Sequence, residues 1–187
     1  MNKHMLLVGA ASTILLPGLV LSQTTTIKTF NFGATLSGAQ EPMPASAPAT
    51  PSLGVTTQTT GTLEVKVMPD LSSFTFQLNV VNGVGVTGAS LQCSPPGENG
   101  PAVVVLSAPN TQGANVNGTL ASGTITSKNI EAGATECKLA GRSVRDIGSL
   151  TAAMTLGLIY VNVTTIANPT GEIRGQLIVG VTPTPPQ

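Results

Sequence analysis

Apolar and polar residues alternate over short runs through much of this chain. Between Gly61 and Met68, Leu63, Val65 and Val67 fall on one face and Thr62, Glu64 and Lys66 on the other. Pro69-Asp70 ends that run in a turn. Between Ser72 and Val81, Phe74, Phe76, Leu78 and Val80 alternate with Ser73, Thr75, Gln77 and Asn79. A period of two predicts half-buried strands, and these two runs predict an antiparallel pair. Thr29–Leu36 predicts an earlier strand with Phe30 and Phe32 on one face, ended by a turn over Ser37–Glu41. Asn82-Gly83 is a hairpin signal leading into Val84–Leu91. The apolar run Pro101–Leu106 (PAVVVL) predicts a strand covered on both faces. Pro109–Asn115 reads as loop, Gly118–Thr126 as a Thr-rich strand, and Asn129–Arg142 as irregular. Ser149–Leu156 is the helical candidate. Ser149 would cap it, Leu150, Ala153 and Met154 have the spacing of one face, and Gly157 stands at the C′ position.

The last alternating stretch, Tyr160 to Leu177, is the richest in ordered polar residues. Ile159, Val161 and Val163 point one way, and Tyr160, Asn162 and Thr164 the other. After Asn168-Pro169-Thr170-Gly171, which has turn chemistry, Ile173, Leu177 and Val179 share one face with Gly175 between them. Glu172, Arg174 and Gln176 share the opposite face. A hairpin of these two runs has an aliphatic side and a polar side. The polar side reads either as a site or as a solvated face with a Glu–Arg cross-strand pair, and the solvated face is the expectation. Such a pair contributes only about 0.2–1 kcal/mol.

Composition narrows the class. Thr, Val, Gly and Ala dominate and there is no Trp, so Val, Leu, Ile and a few Phe must build the core. Short strands with one minor helix predict an all-β fold, a β-sandwich or flattened barrel. The N-terminus has a positive start at Lys3 and His4, an apolar run from Met5 to Leu21 broken at Pro17-Gly18, and a permissive cleavage region before Gln23. Residues 1–22 are therefore expected to be a signal peptide rather than an anchor. Residues 23–180 are expected to form one domain carrying a Pro-rich loop at 42–51, with 181–187 a disordered Pro-rich tail. Without Lys3 there are seven basic and eight acidic residues. No basic stripe and few aromatics remain, which argues against nucleic acid as a partner. No membrane contact is expected after signal removal.

The two cysteines, Cys93 and Cys137, are expected to pair in a secreted chain. The bridge would close a loop of about 45 residues and contribute about 3–4 kcal/mol. Two sequons, at Asn117 and Asn162, are candidate glycan sites, and Asn162 would need an open face. The single histidine is His4, inside the signal. The mature chain therefore lacks imidazole for a catalytic triad, a general base, or zinc or copper ligation.

Phe32–Pro42 (FGATLSGAQEP), Glu98–Leu106 (ENGPAVVVL), Tyr160–Val163 (YVNV) and Asn168–Leu177 (NPTGEIRGQL) occur in an order that resembles the chordin-type (CHRD) domain family. The resemblance runs from about Phe30 to Val179. It implies a secreted or surface domain with an immunoglobulin-like sandwich or barrel, distantly similar to superoxide dismutases, and no particular reaction. The matched polar positions are Gln40, Glu41, Tyr160, Asn162, Glu172, Arg174 and Gln176. They read mainly as a signature tying the terminal hairpin into the sandwich. The chain departs from the family where histidines usually stand. Ser90-Leu91-Gln92 replaces a His-x-His, and Thr164 replaces the His after Tyr-Val-Asn-Val. No cofactor is therefore expected. The functional expectation is a non-enzymatic extracellular binding or structural module with a protein or glycan partner. The alternatives are a hydrolase using Glu41, Glu98 and Glu172, or a metal-binding or redox protein distantly like superoxide dismutase.

Overall fold

The structure, a computed structural model, describes residues 29–42 and 54–183. The expected signal peptide, most of the Pro-rich loop and the end of the tail lie outside the described residues. The chain is all-β with one short helix. Its strands are β1 (Phe30–Ser37), β2 (Thr60–Val67), β3 (Ser73–Cys93), β4 (Ala102–Ser107), β5 (Ala114–Thr126), β6 (Lys138–Leu139), β7 (Arg142–Ser143), β8 (Ile159–Thr165), β9 (Ile173–Gln176) and β10 (Ile178–Val179). The helix α1 spans Ile147–Thr155.

A closed ring runs β1–β2–β3–β8–β9 and back to β1, through the bridge between Ser37 and Arg174. β4 and β5 hang on β3 outside the ring, and β10 pairs with β1. The alternation expected for β1, β2 and the first half of β3 is present. Phe32, Leu63, Val65, Phe74, Phe76 and Leu78 are buried, while Asn31, Lys66, Thr75 and Gln77 are exposed; Thr62, expected on the outer face of β2, is buried instead. β2 and β3 pair antiparallel, with Glu64 opposite Gln77 and Lys66 opposite Thr75.

The Asn82-Gly83 hairpin does not form. β3 continues through it as one strand of 21 residues. Both edges of its first half are taken, by β2 and by β5, so the second half has no edge to fold back onto. Asn82 at φ 57° and Gly85 at φ 63° instead make bulges that bend the strand. Beyond Val86 the strand has new partners, β8 on one edge and β4 on the other. One bent strand thus serves both walls of the barrel.

Four smaller expectations also change. Val105 in β4 is 41% exposed, so the apolar run is not covered on both faces. β5 begins at Ala114 rather than Gly118, which places Asn117 within the strand. The helix starts two residues earlier than expected. Asp146 caps it by accepting from the Ser149 N–H at 2.7 Å, and Ser149 completes the capping box. Val179 is half exposed on β10 instead of sharing a core face with Ile173 and Leu177. Gly157 does take the left-handed C′ conformation, at φ 68°.

Candidate functional site

The terminal hairpin pairs as expected. Tyr160 faces Gln176, Asn162 faces Arg174 and Val163 faces Ile173. Its polar side, however, is not solvated. Tyr160, Asn162 and Arg174 are each 1% exposed or less, and Glu172 and Glu41 are nearly as buried. The expected solvated face is therefore overturned. Loop 94–100 and the turn after β1 cover it, and the polar side chains hold that cover in place.

Arg174 lies at the centre. Its guanidinium stacks on the Tyr160 ring at 3.4 Å from the centroid. It donates to the carbonyls of Glu98 at 2.6 Å and Pro95 at 3.1 Å, and to Gln176 Oε1 at 3.3 Å. Gln176 Nε2 donates to the carbonyls of Ser94 at 3.1 Å and Gly157 at 2.6 Å. Tyr160 Oη accepts from the Gly100 N–H at 3.0 Å and donates to Gln92 Oε1 at 2.5 Å. Three side chains from two adjacent strands therefore bind four loop residues. The loop leaves β3 directly after Cys93, whose disulfide to Cys137 spans 5.6 Å between Cα atoms. The expected disulfide is present and anchors the base of the same loop.

The two buried carboxyls behave differently. Burial pushes the Glu172 carboxyl up. Hydrogen bonds from Thr57, Asn168, Thr165 and Thr59 outweigh burial and hold it below its ordinary range. Glu41 has no such set of donors. Burial pushes it up to about 7, against the attraction of Arg174. Its Oε1 and Asn162 Oδ1 are buried without hydrogen-bond partners among the described residues. Glu41 lies against Gly171, where a Cβ would sit 2.5 Å from Oε2 and the backbone stands at φ 156°, so a side chain there would be strained and would displace the Glu41 carboxyl. Burial also lowers the Arg174 guanidinium and raises the Tyr160 hydroxyl.

Asn162 donates from Nδ2 to the Thr170 carbonyl at 3.0 Å. The open face that a glycan there would require is absent, so the expectation for this sequon is corrected. Asn117 is exposed. Gln40 is exposed and its amide donates back to the Thr35 carbonyl at 2.8 Å, apart from the cluster.

A cleft of about 500 Å³ opens farther along the same side of β8 and the second half of β3, with Ser90, Val105, Ser107, Asn110, Thr164 and Ile166 among its lining residues. Thr164 Oγ1 lies 2.9 Å from Thr87 Oγ1. Two of the positions where the resemblance leads one to expect histidine, Ser90 and Thr164, are thus brought together. The third, Gln92, turns to Tyr160 instead. Hydroxyls in these places do not fit copper or zinc, which take imidazole or thiolate ligands. Among the described residues no group of three or more His, Cys, Asp or Glu is placed to hold a metal ion. Glu41, Glu98 and Glu172 do not line the cleft.

Sequence reasoning missed the hydroxyl partners of Glu172. Thr57 and Thr59 lie 115 and 113 residues away from it, and no local pattern could have pointed to them. Gln92 was noted only as a replaced histidine.

The family model described as the CHRD domain matches residues 32–177. No curated protein matches the chain. No solved structure matches it either.

Proposed function

The chain belongs to the CHRD domain family, and from that premise we propose that it is a secreted, non-enzymatic extracellular module that binds a protein or glycan partner. The observation that carries this reading is the lining of the cleft. It combines hydroxyl, amide and aliphatic groups and holds no titratable side chain. Such a surface can hydrogen-bond and pack against a neutral partner but offers no acid, base or charged nucleophile. The ionisable residues of the terminal hairpin are committed elsewhere, Tyr160 and Arg174 to holding the covering loop and Glu172 to its threonine and asparagine donors. The signal-like N-terminus, the disulfide and the exposed Asn117 sequon support an extracellular setting. No helix among the described residues is long and apolar enough to cross a membrane.

The test is a binding screen of the secreted protein against extracellular-matrix proteins and neutral glycans, with Ser107→Trp as the cleft-filling variant. Binding is expected to be lost in the variant, and the bound partner is expected to be recovered chemically unchanged. Turnover of a partner, or stoichiometric copper or zinc in the secreted protein, would overturn the reading.

A further inference from the structure

Each strand of the closed ring has neighbours on both sides, whereas β4 and β5 hang on β3 by one edge. The free side of β4 is partly covered. Val104 bridges to Ile130, and the Glu131 N–H donates to the Val103 carbonyl at 2.9 Å. β5 pairs only with β3 among the described residues.

An open edge is a template for another strand. Proteins usually guard such edges with lysine, proline, an inward charge or a bulge. Ala114–Thr126 contains no charged residue and no proline. Bulges guard only its first half, where the register against β3 shifts at Leu78/Asn79, Val80/Gly83 and Gly83/Val86. From Ala121 to Thr126 the register is unbroken, and Ser122, Gly123 and Thr124 are exposed. Immediately before this unguarded half stands the sequon Asn117-Gly118-Thr119. Asn117 is exposed. Its Oδ1 accepts from the Asn82 N–H at 3.4 Å. Its Nδ2, the atom a glycan would join, has no hydrogen bond among the described residues.

We propose that the outer edge of β5 pairs antiparallel with β5 of a second copy of this chain, and that an N-glycan on Asn117 blocks that pairing. A second copy suits the edge because an uncharged strand meets itself without repulsion. Two-fold antiparallel pairing also uses the same edge on each partner, so the dimer closes and does not propagate. A glycan is bulky and hydrated, and at Asn117 it stands beside the open half of the strand. The glycan part of this proposal rests on the secreted reading above.

The experiment makes the full chain in two hosts, a glycosylating secretory host and an oxidising bacterial compartment that adds no glycan. Light-scattering mass is then followed through a wide dilution series. The glycan-free protein is expected to double in mass as concentration rises, and the glycosylated protein to stay monomeric. Asn117→Gln in the secretory host should dimerise like the bacterial protein. Ser122→Lys, and independently Thr124→Lys, should return the glycan-free protein to a monomer by placing like charges along the shared edge. Circular dichroism confirms that each variant is folded. A glycan-free protein that remains monomeric at every concentration overturns the pairing and leaves the secreted reading intact. A secreted protein with no glycan at Asn117 overturns the glycan's role and leaves the secreted reading intact. Dimerisation of the glycosylated form overturns the blocking role.

Discussion

The β2–β3 pair and the β8–β9 pair are both antiparallel, and both alternate polar and apolar residues. On β2–β3 the polar side meets water, with Lys66, Thr75 and Gln77 exposed. On β8–β9 the corresponding side, with Tyr160, Asn162 and Arg174, is buried. Alternation reports the pleat of a strand. It does not report what lies over each side of the sheet. On the terminal hairpin a loop lies over the polar side, and its backbone carbonyls would be unsatisfied without the guanidinium and amide beneath them.

Substitutions on the two hairpins should therefore differ greatly. Arg174→Ala strips Pro95 and Glu98 of their donor and leaves a cavity against Tyr160. It is expected to cost about 3–5 kcal/mol in urea unfolding. Arg174→Lys should recover little, because an ammonium lacks the planar fork. A loss below about 1 kcal/mol would mean the face is solvated after all.

Replacing both cysteines, Cys93→Ala with Cys137→Ala, should cost about 3–4 kcal/mol. Hydrogen exchange should quicken in loop 94–100 while β2 and β3 stay protected.

Glu41 sets a pH dependence. Its carboxyl is raised from 4.5 to about 7 in the fold, so the folded state holds the proton more tightly than the unfolded chain. The stabilisation is fully present below about 4.5 and is lost as pH rises through about 7. Its size is on the order of 3 kcal/mol. Glu172, held below its ordinary range, contributes with the opposite sign and loses its share as pH falls below that range. Glu41→Gln should flatten the decline between 4.5 and about 7 in a series of denaturation midpoints. An unchanged profile would show that Glu41 is ionised and accommodated.

The smallest effect belongs to the solvated hairpin. Gln77→Ala removes an exposed side chain whose one hydrogen bond, to Asn79, is 3.4 Å long. Stability should stay within about 0.5 kcal/mol of the parent.

The all-β class, the β2–β3 pairing, the terminal hairpin and the cysteine pair were legible in the sequence because each rests on a local or compositional signal. Period two needs only neighbouring residues, Asn168–Gly171 carries its own turn chemistry, and a lone pair of cysteines has one way to pair. The path of β3 was not legible. Asn82-Gly83 has the composition of a hairpin, and only the occupation of both edges by β2 and β5 rules one out. The Glu172 cage was hidden for a related reason, since Thr57 and Thr59 reach it across 115 and 113 residues.

The sequence by itself determined which side chains lie on each side of the unbulged strands β2, β8 and β9, since backbone geometry forces that alternation. Only the tertiary structure decided which polar sides meet water. That depends on which loop packs over them and whether its carbonyls find donors there, a matter of contacts between residues far apart in the chain.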